Sequence, residues 1–244
     1  MNDIVEFEAQ RTQFAEKLGK DKDILKLSRE LLHRLHSYNY SYLWTAAGVP
    51  IIQTPADIIA HQEVVWKTKP SLIVETGIAR GGSLINSAMA LEVNGGQGKV
   101  IGIDIDIREH NREVIENHKL ARRIETIQGS SIDLAVFEQV AQQVSSDDKV
   151  MVVLDSNHTC EHVIEELKLW GKLVTKGCYL VVADTMLFYA TEPVQGSETW
   201  TPGNDPLTAL NKYMETNDKF QPDHEINGKL IFSSSFNGYM KAVK

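Results

Sequence analysis

Five short apolar runs, four closed by an acidic residue and one by a glutamine, and spaced by stretches of helical period, constrain this chain more than any other feature. They are SLIVE (71–75), KVIGID (99–104), IETIQ (124–128), VMVVLD (150–155) and YLVVAD (179–184). Runs this short and this rich in valine and isoleucine read as buried strands. The segments between them carry helical spacing, as in the stretch 82–93 and at Val163, Leu167 and Trp170. Strand and helix in repeated alternation predict an α/β fold: a doubly wound, Rossmann-like, mostly parallel sheet with helices on both faces.

The flanks follow a different grammar. Residues 4–18 and 22–40 read as amphipathic helices, with Ile24, Leu27, Leu31 and Leu35 on one face of the second. The aromatic cluster YNYSYLW (38–44) either packs this extension onto the main domain or lines a substrate pocket or an oligomer contact. Thr54, Pro55 and Asp57 form a helix start, with an N-cap, a proline at the first position and a negative charge in the first turn. The expected organisation is therefore a helical extension over 1–53 and a domain over 54–244. In the latter, a helix near 206–216 precedes two short strands, around 229–233 and 238–243. These close the sheet at seven strands with an antiparallel hairpin. The stretch 186–205, rich in Pro, Gly, Thr and Glu and without a period, reads as a functional lid.

A length of 244 residues suits one such domain with an extension. The 33 acidic and 25 basic residues leave a net charge of −8, which argues against nucleic acid or an anionic membrane as partner. Cys160 and Cys178 form no CxxC pair, which argues against a disulfide framework or a zinc site and for a reducing compartment. The acidic start MNDIVEFEAQ shows no secretory signal, and no apolar run approaches the ~20 residues of a membrane span. The expected location is the cytoplasm.

In a doubly wound sheet ligands bind beyond the carboxyl ends of the strands, so chemistry is sought there. The first strand ends in Glu75, Thr76, Gly77, Ile78, Ala79, Arg80, Gly81, Gly82 and Ser83. Counted from Gly77, the G-x-G-x-x-G of dinucleotide sites fails at Ala79. The pattern is E-x-G-x-x-x-G-G, which resembles the first motif of S-adenosylmethionine-dependent methyltransferases. The resemblance implies that the acid and the glycine loop hold the amino-acid end of that cofactor. The second strand ends in Asp104, placed to accept hydrogen bonds from ribose hydroxyls, with Asp106 as a lesser candidate. The third ends in a turn with Ser130 and Ser131, which either borders an adenine or is a simple connection. Asp155 and Asp184 close the fourth and fifth strands, which as neighbours lie about 4.8 Å apart. Two carboxylates there can share a hard cation such as Mg2+, with the Thr185 hydroxyl as a further ligand; each aspartate can instead cap the turn after its strand. His158 is a candidate general base; His162, one turn on, reads as a plain surface histidine.

Taken together, YNYSYLW, PIIQTPADIIAHQEVVW, PSLIVETGIARGGSL, IGIDIDIR, VLDSNHTCEHV and GCYLVVADT resemble the cephalosporin hydroxylase / rhamnosyl O-methyltransferase family. More distantly they resemble the magnesium-dependent catechol O-methyltransferases. The resemblance runs from about residue 38 to the C-terminus. It implies transfer of a methyl group from S-adenosylmethionine to a hydroxyl of a sugar, polyketide, other natural product or phenol, metal ligation by Asp155 and Asp184, a base at His158, and a symmetric homo-oligomer. One departure stands out: macrolide-sugar relatives carry Glu-Asp where this chain has Ala183-Asp184, so one carboxylate is missing. A nicotinamide-dependent oxidoreductase or hydroxylase-type tailoring enzyme on a similar sheet is a second reading, opposed by the missing dinucleotide fingerprint. A non-catalytic S-adenosylmethionine-binding protein is a third, opposed by the presence of both aspartates and the histidine.

Overall fold

Helix α1 (Asp3–Leu18) and helix α2 (Lys22–His36) lead through a 3-10 turn at Tyr40–Leu43 into an antiparallel hairpin of β1 (Trp44–Ala46) and β2 (Val49–Ile51). There follow α3 (Pro55–Thr68), β3 (Leu72–Thr76), α4 (Gly82–Asn94), β4 (Lys99–Asp104), α5 (Glu109–Glu116), β5 (Ile124–Gln128), α6 (Leu134–Ala141), β6 (Val150–Leu154), α7 (Cys160–Trp170) and β7 (Tyr179–Val182). The chain closes with α8 (Pro206–Met214), β8 (Phe220–Pro222), α9 (His224–Lys229) and β9 (Tyr239–Ala242). The structure, a computed structural model, describes residues 3–190 and 199–244.

The seven strands β3 to β9 form one sheet in the order β5-β4-β3-β6-β7-β9-β8. The first five of that order are parallel, and β9 runs antiparallel to both β7 and β8. The sequence pattern explains why the central strands lack polar alternates: both faces are covered. Val74, Val152, Leu180 and Val182 point to the side packed by α7 and α8, with Trp170 and Leu210 fully or almost fully buried there. Ile73, Val153, Val181 and Tyr239 point to the side packed by α3, α4 and α9, against Val64, Leu84 and Ile226. Thr54 caps α3 as its sequence predicts, its Oγ1 accepting from Asp57 N at 3.5 Å with Pro55 in the first turn. Among the described residues no helix is long and apolar enough to cross a membrane.

Several expectations need correction. The second helix ends at His36 rather than at 40, where Asn39 turns left-handed (φ +49°). The stretch 1–53, expected to be helical, contains the β1–β2 hairpin. Its turn is Ala47-Gly48, both at positive φ (45° and 90°), which suits the right-handed twist of paired strands. The segment 229–233 is no strand. Asp223 caps α9 by accepting from Glu225 N and Ile226 N, both at 3.0 Å, and Phe220–Pro222 takes the partner position beside β9. Of the expected lid, Thr185–Tyr189 is a 3-10 helix, while 191–198 lie outside the described residues.

Candidate active site

The chain winds outward from β3 to β5, then returns with β6 on the other side of β3. This reversal opens a crevice at the carboxyl ends of β3 and β6, where doubly wound sheets bind ligands. The two strand ends nearly touch. Gly77 sits at φ +89°, and a Cβ there would lie 1.9 Å from the Asp155 carbonyl oxygen, so no other residue fits without moving β6. The loop then passes through Ala79 (φ +45°) and Gly81 (φ +88°) into the start of α4. Left-handed backbone at a non-glycine residue is strain held by the surroundings, and it clusters at functional sites.

Glu75, just before this loop, is buried at 1% exposure, and its Oε1 has no hydrogen-bond partner. Burial pushes its pKa up to about 7, against a hydrogen bond from the Ser83 side chain that favours the charged form. Thr76 is fully buried with its Oγ1 likewise unpartnered. Asp104 is brought to the same loop: its Oδ2 accepts from Ile78 N at 2.8 Å and Ala79 N at 3.3 Å. Asp106 is exposed and faces Arg108. Arg80 is exposed, with Nη1 3.1 Å from His110 Nε2.

Beyond β6 and β7, Asp155, His158 and Asp184 converge. One potential ligand atom from each lies within 4.8 Å of the others. His158 Nε2 is 3.1 Å from Asp184 Oδ2, and the ring meets Trp200 edge-on at a centroid distance of 4.7 Å. Asp184 is itself left-handed (φ +50°). The pKa of Asp155 is driven well above the usual carboxylate range, first by burial, then by the charge of Asp184; a hydrogen bond from Gln53 opposes this. Two acids that repel each other in a partly buried pocket, beside an imidazole, are a donor set that a divalent cation relieves. Thr185 is not brought into this cluster. Its hydroxyl is fully buried and donates to the Phe236 carbonyl at 2.6 Å.

These groups line one cavity of about 530 Å3. Gly77, Ile78, Ala79 and Ser83 form one wall, and Asp155, Ser156, His158 and Asp184 the floor. The third wall comes from α2 (Arg29, Leu32, His33) and from the aromatic rings of Tyr40, Tyr189 and Trp200. The 38–44 cluster thus serves both uses weighed for it. Tyr40 packs edge-on against Trp44 and Phe232, both at 5.6 Å, and also lines the cavity.

Sequence reading missed a polar network beneath the floor. His162 is no plain surface histidine: its Nε2 lies 3.0 Å from Ser131 Oγ, 3.2 Å from Ser156 Oγ and 3.6 Å from Glu166 Oε1. Glu166 is fully buried and accepts from Ser156 Oγ at 2.7 Å. Ser131 thus belongs to this network, while Ser130 stays half-buried in the turn. The signal was an acid on the same helical stripe as Val163, Leu167 and Trp170, four residues after a histidine.

The sheet order, with its glycine loop over the first parallel strand and its closing antiparallel strand, is that of a methyltransferase fold, and the sequence relatives set the class as S-adenosylmethionine-dependent O-methyltransferase. Within it, the chain belongs to the Rhamnosyl O-methyltransferase/CmcI family, whose model matches residues 36–243. A rhamnosyl O-methyltransferase of Mycobacterium tuberculosis is 29% identical over 215 residues, which are 84% of this chain and 82% of that protein. One of Mycobacterium leprae is 28% identical over 169 residues, 67% and 72% of the two chains. Among solved structures, CmcI with Mg and SAM has a TM-score of 0.58 at 20% identity, covering 83% of this chain and 78% of its own. An O-methyltransferase from Bacillus cereus in complex with SAH has a TM-score of 0.54 at 14% identity, covering 89% and 90%. At these identities the structural likeness is one of fold.

Proposed function

We propose that this chain transfers the methyl group of S-adenosylmethionine to a hydroxyl oxygen of a small molecule carrying adjacent oxygens, such as a sugar or a phenol, with the help of Mg2+. The observation that carries this reading is the convergence of Asp155, His158 and Asp184 on the cavity that the Gly77 loop also lines. Binding of Mg and SAM by CmcI, and of SAH by the Bacillus cereus enzyme, on the same fold supports it. The sugar named for the mycobacterial relatives favours a carbohydrate acceptor.

The residues present fit the cofactor. The unpartnered Oε1 of Glu75 suits the ammonium of its amino-acid end, and the backbone of the Gly77 loop admits close approach. Arg80, Gly82 and Ser83 would complete this wall, with Thr76 and Gly81 in the backbone behind it. Asp104 fixes the loop through Ile78 and Ala79 and has lone pairs left for ribose hydroxyls, while Ser131 is taken up by the network with Ser156 and His162 and, like Ser130, does not line the cavity. When bound, the cofactor supplies a methyl carbon made electrophilic by its sulfonium. Asp155 and Asp184 would hold the cation, which would supply positive charge to ease ionisation of the acceptor hydroxyl. His158, oriented by Asp184 and Trp200, accepts the hydroxyl proton on its ring nitrogen. Trp200, packed against the His158 ring, would shield this proton transfer from bulk water, and the aromatic wall of Tyr40 and Tyr189 would orient the acceptor. The exposed apolar side chains of α1 and α2, Phe7, Phe14 and Leu27 among them, are what the expected self-association would cover.

The test is methyl transfer from S-adenosylmethionine to a panel of vicinal diols and catechols. Asp155→Ala removes a cation ligand and is expected to abolish turnover while leaving cofactor binding largely in place. His158→Gln is expected to lower turnover by about 10²–10⁴-fold. Chelation should stop the reaction and added magnesium restore it. Activity that survives both Asp155→Ala and chelation would show that the cation has no part in the chemistry.

A further inference from the structure

We propose that the acceptor is an acid, a hydroxylated carboxylate or phosphate ester, whose anionic group is read by Arg29 on the α2 wall; this rests on the methyltransferase reading above. Arg29 lies on the same face of α2 as Leu32, His33 and His36, and all four border the cavity. Its guanidinium carbon stands 3.6 Å above the centroid of the Tyr189 ring and 5.6 Å from that of Phe236. Stacking fixes the plane of the guanidinium and leaves its N–H edges free. Its Nε is buried and has no hydrogen-bond partner, and among the described residues Arg29 forms no ion pair. The other arginines with restricted exposure do pair: Arg11 with Glu63 and Glu225, Arg112 with Glu116, Arg123 with Glu92. A held, unpaired guanidinium facing a ligand cavity is a receptor for a planar or tetrahedral oxyanion, which it engages with two parallel N–H donors.

The charge pattern of the cavity fixes the orientation. Asp155 and Asp184 sit on the floor, where an acid would be repelled and where the reacting hydroxyl belongs. Arg29, His33 and His36 sit on the facing wall. Arg29 thus brings a fixed positive charge to the α2 side of the pocket of a chain whose net charge is −8. The acceptor spans the two, with its hydroxyl pair on the floor, a ring against Tyr40 and Trp200, and its oxyanion against α2.

Calorimetry on the full chain, loaded with S-adenosylhomocysteine and magnesium, tests this with matched pairs. These are 3,4-dihydroxybenzoate against catechol, glucuronate against glucose, and glucose 6-phosphate against glucose. At least one acid is expected to bind about tenfold or more tightly than its neutral partner. Arg29→Gln should bring that ratio near one while leaving the affinity for S-adenosylhomocysteine unchanged, which also shows that the variant is folded. The carboxylate and phosphate arms tell which oxyanion is read. Equal affinity within every pair, binding of neutral members alone, no acceptor binding in any arm, or a preference that survives Arg29→Gln would overturn the proposal. If the wild-type chain does not bind S-adenosylhomocysteine, it is the methyltransferase reading that fails.

Discussion

His61 and Glu75 respond to burial in opposite directions, and each sits within one strand or helix of the crevice. His61, 7% exposed, shares a hydrogen bond with Ser87 Oγ at 2.8 Å, and burial lowers its pKa to about 4 from 6.5. Between those values the unfolded chain binds a proton that the folded chain refuses, so folding stability falls as the pH drops through that window and is fully present above it. At about 1.4 kcal/mol per pH unit the loss is of order 3 kcal/mol. His61→Gln should flatten the pH dependence of denaturant midpoints between pH 4 and 6.5; an unchanged slope would show that His61 is not its source. Glu75 works the other way. Its pKa is raised to about 7 from 4.5, so its contribution to stability is present below 4.5 and lost as pH rises through 7. Glu75 was legible because an acid before a glycine loop at a strand end is a local pattern. Arg29 was not, since the rings it stacks on lie on other elements; the His162–Glu166 pair left its i, i+4 trace on α7, but Ser131 and Ser156, which complete its network, lie outside that helix.

At the scale of elements, the central strands declared themselves because burial on both faces leaves no room for a polar alternate. The C-terminal elements did not. Strand β8 is three residues long and exists through its pairing with β9. The apolar run near 229–233 resembled a strand, yet its carbonyls are used elsewhere: Ser28 donates to Ile231 O, and Thr54 Oγ1 to Phe232 O at 3.2 Å. Ser233, which ends the run, and Ser234 after it close on Asp57, whose carboxylate accepts from Ser234 N at 2.9 Å and from the Ser233 hydroxyl. Such contacts span some 180 residues and leave no periodic trace. The seat of α1 is equally non-local. A Cβ on Gly228 would fall 2.3 Å from the Ala15 carbonyl oxygen, so α1 and α9 touch backbone to backbone. Gly228→Ala should prise them apart at a cost of about 1–3 kcal/mol. Thermal unfolding would register it, and hydrogen exchange should speed up in α1 while β3, β4 and β6 stay protected. Uniform loss of protection would instead mean that α1 is integral to the sheet core.

Over the whole molecule, the reversal of strand order between β3 and β6 sets where chemistry happens. It brings Gly77 against Asp155, and it gathers the glycine loop, the acidic floor and the α2 wall around one cavity. A mostly parallel sheet, with its fourth and fifth runs side by side, was readable from the alternation of runs; the full strand order was not. That the N-terminal helices would help build the pocket was a fair expectation from the sequence, and α2 does so; which of its side chains face the cavity was not readable, because an extension ahead of the sheet carries no sign of where it folds back. The central claim is that the crevice over β3 is shaped for S-adenosylmethionine. Titrating the purified wild-type chain with S-adenosylmethionine, S-adenosylhomocysteine and NAD in a calorimeter tests this most directly. Saturable one-to-one binding of both sulfur nucleosides with no heat from NAD is the predicted result. Silence toward both nucleosides up to millimolar concentration, or tight binding of NAD, would contradict it.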